Sequence, residues 1–280
     1  MKGNICLNES RKEEEVRFHD KLRAVSDDVH VADTRWSPVM EDTIRNNPMW
    51  ANMKYYSIER QSRNMVLNWY KENCKGKKVL DYCCGNGADS IVIAQNGASE
   101  VTGIDLSEVS IKNCRDSAKK NHLENVVSYM VRDAENTGFE DSSFDIITEY
   151  GCLHHLELEK AFTELNRILK PDGKIICNES LGHNPVFHLY RKMTSNLRTK
   201  LEVEHIIRKS HFKVAEKYFS DIEFHFYHLF TLLGVPFRNT AIFGMLLNGL
   251  EKIDNILLEL PFVKWQAWQT VFILSNPKNK

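Results

Sequence analysis

Residues 78–105 contain a short apolar run that ends in a carboxylate, breaks into a glycine loop, and gives way to a second apolar run ending the same way. The first run and its loop read Lys78-Val79-Leu80-Asp81-Tyr82-Cys83-Cys84-Gly85-Asn86-Gly87, and the second reads Val101-Thr102-Gly103-Ile104-Asp105. Continuous apolar runs of this length are how buried strands of a parallel sheet read, and ligands of such sheets bind beyond the carboxyl ends of the strands. Two acids at neighbouring strand ends, with a glycine turn between them, suit a ligand that carries an ammonium group and a ribose. Gly85 and Gly87 alone would signify only a turn. A dinucleotide-binding fingerprint counted from these two glycines requires a third at position 90, where the chain has Ser90.

The rest of the chain extends this pattern. Strands are predicted over Lys78–Tyr82, Glu100–Asp105, Val126–Arg132, Phe144–Glu149 and Lys174–Glu179. Helices are predicted over Ser57–Asn73, Asp89–Gln95, Ser107–Asn121 and Glu157–Leu169, with stop signals at Asn96-Gly97 and Pro171. Regular strand–helix alternation demands right-handed crossovers and helices on both faces of the sheet. Phe212–Phe219 and the bulky, β-prone Trp268–Ser275 complete a Rossmann-like doubly wound α/β sheet of seven strands, mostly parallel with an antiparallel C-terminal strand. Residues 1–50 read as an N-terminal arm, loosely docked over its charged first forty residues, and 51–280 as one domain. Residues 222–260 read as a helical, lid-like insertion over the ligand edge of that domain.

Four elements in order resemble class I S-adenosylmethionine-dependent methyltransferases, over about residues 78–180. Val79–Gly87 resembles motif I, with Cys83 in place of the usual first glycine. Asp105 matches the acid that binds the ribose hydroxyls, with Leu106 against the adenine, and Asp133-Ala134 matches the pair at the adenine edge. Phe144–Tyr150 matches the fourth-strand motif, and Leu169-Lys170-Pro171-Asp172-Gly173 the element before strand five. The resemblance implies S-adenosylmethionine as cofactor. It would be held by Tyr56, Asp81, Cys83, Gly85, Asn86, Gly87, Asp105, Leu106, Asp133, Ala134, Glu149 and Tyr150.

Methyl transfer is an in-line displacement at a sulfonium methyl, so the protein mostly orients the acceptor and removes its proton. His154 and His155 follow the fourth strand and His183 follows the fifth, and a histidine near neutral pKa is suited to take a proton from a hydroxyl or amine. These three are the candidate catalytic residues, with His154 ahead of His155 because Leu153 and Leu156 look like packing positions. The expected acceptor is a small molecule, methylated on a hydroxyl oxygen. A macromolecular or lipid-linked acceptor and a non-catalytic S-adenosylmethionine-binding role are the alternatives. Glu149, Asn178 and Glu179 invite comparison with metal-assisted catechol-type enzymes, but Glu149 falls one residue early, and no metal site is expected.

Charge and composition narrow the partners. A formal net charge of −1 provides no general attraction for nucleic acid, and strand four lacks the Asp/Asn-Pro-Pro-aromatic element of enzymes that methylate nucleic-acid amino groups. No run of eighteen uncharged apolar residues occurs, so no transmembrane span is expected, while peripheral membrane contact stays open for the apolar insertion. Seven scattered cysteines without a CxxC pair suggest reduced thiols and a cytoplasmic setting. Arg191, Lys192, Arg198, Lys200, Arg208 and Lys209 make the segment after strand five locally basic, which a solvated helix face or an anionic substrate group would both explain.

Overall fold

The structure, a computed structural model, describes residues 2–23, 38–46, 48–197 and 205–278. Its centre is a seven-stranded sheet of β1 (Lys78–Tyr82), β2 (Glu100–Asp105), β3 (Val127–Val131), β4 (Phe144–Tyr150), β5 (Leu169–Ser180), β6 (Phe219–Tyr227) and β7 (Gln269–Pro277). The strand order is β3-β2-β1-β4-β5-β7-β6. β1 to β5 run parallel, while β7 is antiparallel to both β5 and β6. Connections reverse direction between β1 and β4, which opens a crevice at the carboxyl ends of those strands.

Both faces of the sheet are buried, as its apolar runs demand. Alternate residues go to opposite sides: Leu80, Ile147, Ile175 and Phe272 pack on one face, and Val79, Ile146, Ile176 and Val271 on the other. The first face is covered by α6 (Leu158–Ile168) and α8 (Phe212–Tyr218). The second is covered by α3 (Arg60–Asn73), α4 (Ala88–Gln95) and α5 (Glu108–Lys120). Each fully buried aliphatic or phenyl side chain contributes about 2 kcal/mol.

Three expectations change. Phe212–Phe219 is not a strand: Phe212 and Ala215, three apart, are the buried pair, so the segment coils as α8, and Phe219 opens β6. The insertion therefore starts after Tyr227, because Ile222, Phe224 and Phe226 pair in register with β7. β5 begins at Leu169 rather than Lys174, and its register against β4 shifts between Phe144 and Ile146 to admit Pro171-Asp172-Gly173. Any side chain at Gly173 would place its Cβ 2.6 Å from the Leu169 side chain and 3.0 Å from the Asp145 carbonyl oxygen.

Residues 228–268 leave β6 and return to β7 at the carboxyl edge of the parallel strands, since Tyr227 and Gln269 are partners and Gln269 also faces Ser180. They form a 3-10 segment, Thr231–Phe237, and α9 (Phe243–Leu257). α7 (Pro185–Met193) lies against the same end, its N-cap Asn184 accepting from Val186 N–H and its amide donating to the Gln266 carbonyl. Asp254 on α9 anchors the insertion: its carboxylate accepts from the backbone N–H groups of Leu229, Phe230 and Thr231 and from the Thr231 hydroxyl. Asp254→Ala would leave these donors without an acceptor, so we expect about 2–4 kcal/mol of lost stability, read as a lower urea midpoint.

Candidate active site

The cofactor-side crevice is built by the ends of β1, β2 and β4. Gly85 and Gly87 both adopt positive φ, at 54° and 76°. A Cβ at 87 would come within 2.8 Å of the Tyr129 hydroxyl and 2.9 Å of Cys114 Sγ, so the loop depends on that glycine for its path as well as its conformation. Cys83, which stands where the motif usually has glycine, takes φ 60°. At the end of β2, Asp105 accepts from Gly85 N–H at 3.0 Å and from Ser107 N–H at 2.9 Å. Asp81 accepts from the Ser90 backbone at 3.0 Å and from its hydroxyl at 2.5 Å. It thereby fastens the loop to the first turn of α4. Burial, then the Asp89 charge, push its carboxyl up to about 7.

The N-terminal arm was expected to be loosely docked. Instead α1 (Lys2–Arg23) lies across the crevice, held by charge rather than by an apolar stripe, which is why sequence periodicity gave no sign of it. Arg23 donates to both Asp105 oxygens, at 3.3 and 3.4 Å, and to Ser110 Oγ. Lys12 pairs with Asp133 at 2.6 Å and Arg11 with Glu135 at 2.5 Å. The remaining stretch of the arm expectation, 24–37, lies outside the described residues. Beneath α1 is a cavity of about 110 Å³.

Cys83, Asp105, Leu106, Ala134, Tyr150 and His155 line that cavity, six of the residues singled out from sequence. Asn86 accepts from the Asn113 amide, Asp133 pairs with Lys12, and Tyr56 lies beside Tyr150; none of the three is on the cavity wall. Cys83 and Cys152 are joined by a disulfide across the crevice floor, against the expectation of reduced thiols, which spacing along the chain could not test. Cys74, Cys84, Cys114 and Cys177 are free.

The two adjacent histidines each meet a carboxylate. His155 Nδ1 lies 2.9 Å from Glu15 of α1, on the cavity wall. His154 stands behind it, rings 4.3 Å apart, with Nδ1 2.7 Å from buried Glu179. Glu149 accepts from the Cys152 and Leu153 N–H groups. Burial and then the Glu179 charge push the Glu149 carboxyl well up. Burial pushes Glu179 the same way, but His154 outweighs it and leaves Glu179 below its ordinary value. His183 is elsewhere: its Nε2 accepts from Lys209 N–H at 3.2 Å, and its ring lies 5.7 Å from Trp265. Glu15, His19 and His155 bring three potential ligand atoms within 4.8 Å, the one set of metal-ligand type found among the described residues. It joins positions 15, 19 and 155, and only the Glu15–His19 spacing of four hints at it in the sequence.

Glu59 also escaped the sequence reading, having no motif around it. It is buried, accepting from the Tyr150 hydroxyl at 2.5 Å and from the Gln269 amide at 2.6 Å. Burial raises its carboxyl to about 7, against the opposing effect of those donors. Between pH 4.5 and 7 the folded state therefore binds a proton that the unfolded state has released, and stability from this group falls as pH rises through that window. We expect Glu59→Gln to flatten the stability–pH profile between pH 5 and 8 relative to the parent, by about 3 kcal/mol across the window, in urea titrations at fixed pH.

Comparison with known proteins agrees with this geometry. Residues 80–177 match a family described as a methyltransferase domain. A demethylmenaquinone methyltransferase of Staphylococcus aureus (strain MRSA252) is 36% identical over 122 residues, 42% of this chain and 48% of that protein. The enzyme of the same name from Staphylococcus haemolyticus (strain JCSC1435) is 37% identical over 123 residues, 42% and 50% of the two chains. This chain thus spans about half the length of the curated relatives it matches. Among solved structures, a Pyrococcus horikoshii protein superposes with TM-score 0.53 at 22% identity, over 80% of this chain and 91% of that one. A Haemonchus contortus phosphoethanolamine N-methyltransferase, solved with S-adenosylhomocysteine, gives TM-score 0.55 at 21% identity, over 78% and 53%. At such identities these two likenesses speak for the fold.

Proposed function

We propose that this chain, whose residues 80–177 match a family described as a methyltransferase domain, is a class I S-adenosylmethionine-dependent methyltransferase that transfers a methyl group to a hydroxyl oxygen of a small-molecule acceptor. The observation that carries the reading is Asp105, an acid at the tip of β2 beside the Gly85–Gly87 loop, facing a cavity whose other wall holds His155. S-adenosylmethionine, when bound, supplies an electrophilic methyl on a sulfonium. Asp105 accepts from the ribose hydroxyls, the donors for which Arg23 stands in here. Leu106 and Ala134, on the cavity wall, would hold the adenine, and Asp133 would accept from its edge. The backbone of Gly85–Gly87 faces the methionine portion, and Asp81 keeps that loop in place through Ser90.

His155 takes the acceptor's proton. With Nδ1 held by Glu15, the ring keeps the Nε2 lone pair for the substrate, as carboxylate–histidine pairs do. The buried His154–Glu179 pair backs it and sets the path of the loop. Relatives named demethylmenaquinone methyltransferases favour a small organic acceptor over a macromolecule. No described helix is long and apolar enough to cross a membrane. We place the enzyme in the cytoplasm, in keeping with the free thiols of Cys74, Cys84, Cys114 and Cys177.

Two measurements test this reading. Asp105→Ala removes a charged acceptor of two hydrogen bonds, so calorimetry should show S-adenosylmethionine binding weakened by about 2–4 kcal/mol. Affinity unchanged in the folded variant would refute the ribose assignment. His155→Ala should slow turnover about 10²–10⁴-fold in single-turnover assays with labelled methyl donor, while cofactor affinity stays near that of the parent. Near-normal turnover would exclude base catalysis by this histidine.

A further inference from the structure

The other end of the carboxyl edge carries a surface that methyl transfer does not use. α9 has its polarity reversed for a helix on a globular protein. Its inward side bears Leu247 and Leu258 together with two acids, Glu251 paired with Arg60 and Asp254 capping residues 229–231. Outward it shows Ile242, Met245, Ile253 and Ile256, of which Met245 is 74% and Ile256 71% exposed. α7 repeats the pattern with Val186, Leu189 and Met193, spaced i, i+3 and i+7 and all exposed, while Arg191 is buried. Phe187 of α7 and Phe243 of α9 close on the same small cluster of Ile58, Val235, Leu247 and Trp268, so the two helices flank one support. Among exposed described residues of 228–262, only Lys252 and Glu259 are charged.

A group of cations stands where the two stripes meet. α7 starts just after His183, and the chain leaving α9 passes exposed Leu260 and Phe262, the latter 90% exposed, to reach Lys264 and Trp265. Lys209 Nζ lies 5.3 Å from the centre of the Trp265 ring, and Lys264 Nζ 5.4 Å from that of Phe226. Arg208 donates its backbone N–H to His211 in the same turn. Burial and these cations hold His183 and His211 below their ordinary values, so the standing charges are Arg208, Lys209 and Lys264. None of the three has a carboxylate partner among the described residues. Arg198 and Lys200, read with them as a basic segment, lie outside the described residues.

We propose that this face docks on an anionic lipid bilayer, with the α7 and α9 stripes in the headgroup–acyl boundary and Arg208, Lys209 and Lys264 on lipid phosphates. Charge complementarity selects this occupant. Among the described residues the cations lack acids of their own, so lipid phosphates would supply the missing counter-charge. Long aliphatic and methionine side chains on convex helices, with lysines at the margin, are the make-up of interfacial helices. The net charge of −1 conceals this local excess.

Vesicle flotation of the full chain tests the proposal without reference to turnover. The protein should float with phosphatidylcholine–phosphatidylglycerol vesicles, and weakly with phosphatidylcholine alone. The double variant Met245→Glu, Ile256→Glu should stay at the bottom of the gradient while its thermal melt is unchanged, since both side chains are exposed. Arg208→Ala and Lys209→Ala should each lower partition about five-fold at low salt, and less at high salt. Failure of the folded parent to float with anionic vesicles would overturn the proposal, as would flotation that survives the double variant. Dimerisation abolished by the same variant, without vesicle binding, would make the face an interface between copies and would equally overturn it.

Discussion

Carboxylates gathered at one edge of a parallel sheet are the constraint on which this structure turns. Apolar strands leave their polar ends in a crevice where an unpartnered acid would cost several kcal/mol, so each acid must find donors or keep its proton. Asp81 finds them on α4, Asp105 on the glycine loop and Asp254 on the turn that starts the insertion. Glu59 and Glu149 take the other course and hold protons well above the usual carboxylate range. Glu179 stays ionised because His154 faces it. The loop positions around the cavity follow from these pairings.

The same constraint explains α1. Its apolar content offers no stripe to bury, yet three cations along it reach Asp105, Asp133 and Glu135, and one acid reaches His155. Such a helix is held by partly screened ion pairs, each weak where solvent enters. A ligand bringing its own donors to Asp105 and Asp133 replaces part of that hold at small cost. The position of α1 is thereby tied to these two carboxylates, and Glu15 extends the tie to His155.

How much could be read from the sequence follows physical lines. β1, the glycine loop and β2 were legible because burial on both faces leaves continuous apolar runs, and the acids at the strand ends follow by position alone. Phe212–Phe219 misled because aromatic content suggests a strand, whereas the buried pair Phe212 and Ala215 follows a helical spacing. The next nine residues alternate Ile222, Phe224 and Phe226 with Glu223 and His225, a period of two that marks β6. Glu59 gave no signal, Glu15 only its spacing of four from His19, and Glu179 only its place after strand five, since each meets its partner about 25 to 140 residues away. The choice between His154 and His155 was likewise tertiary: both follow β4, and only the docking of α1 puts Glu15 beside one of them.

The carboxyl edge is divided by charge and polarity in a way that net charge conceals. Over β1, β2 and β4 it is acidic and closed by Arg11, Lys12 and Arg23 of α1. Past β5 it becomes apolar, carrying Trp265 and Trp268 with cations that lack acid partners among the described residues. The antiparallel return of β7 makes this division possible. Because β7 runs against both β5 and β6, the 228–268 segment must leave and re-enter at the carboxyl edge, next to Ser180 and Leu181. A parallel seventh strand would need a crossover ending at the opposite edge, far from the cavity. The reversed strand thus brings a mostly apolar helical surface, with Lys252 and Glu259 as its exposed charges among the described residues, beside a polar crevice.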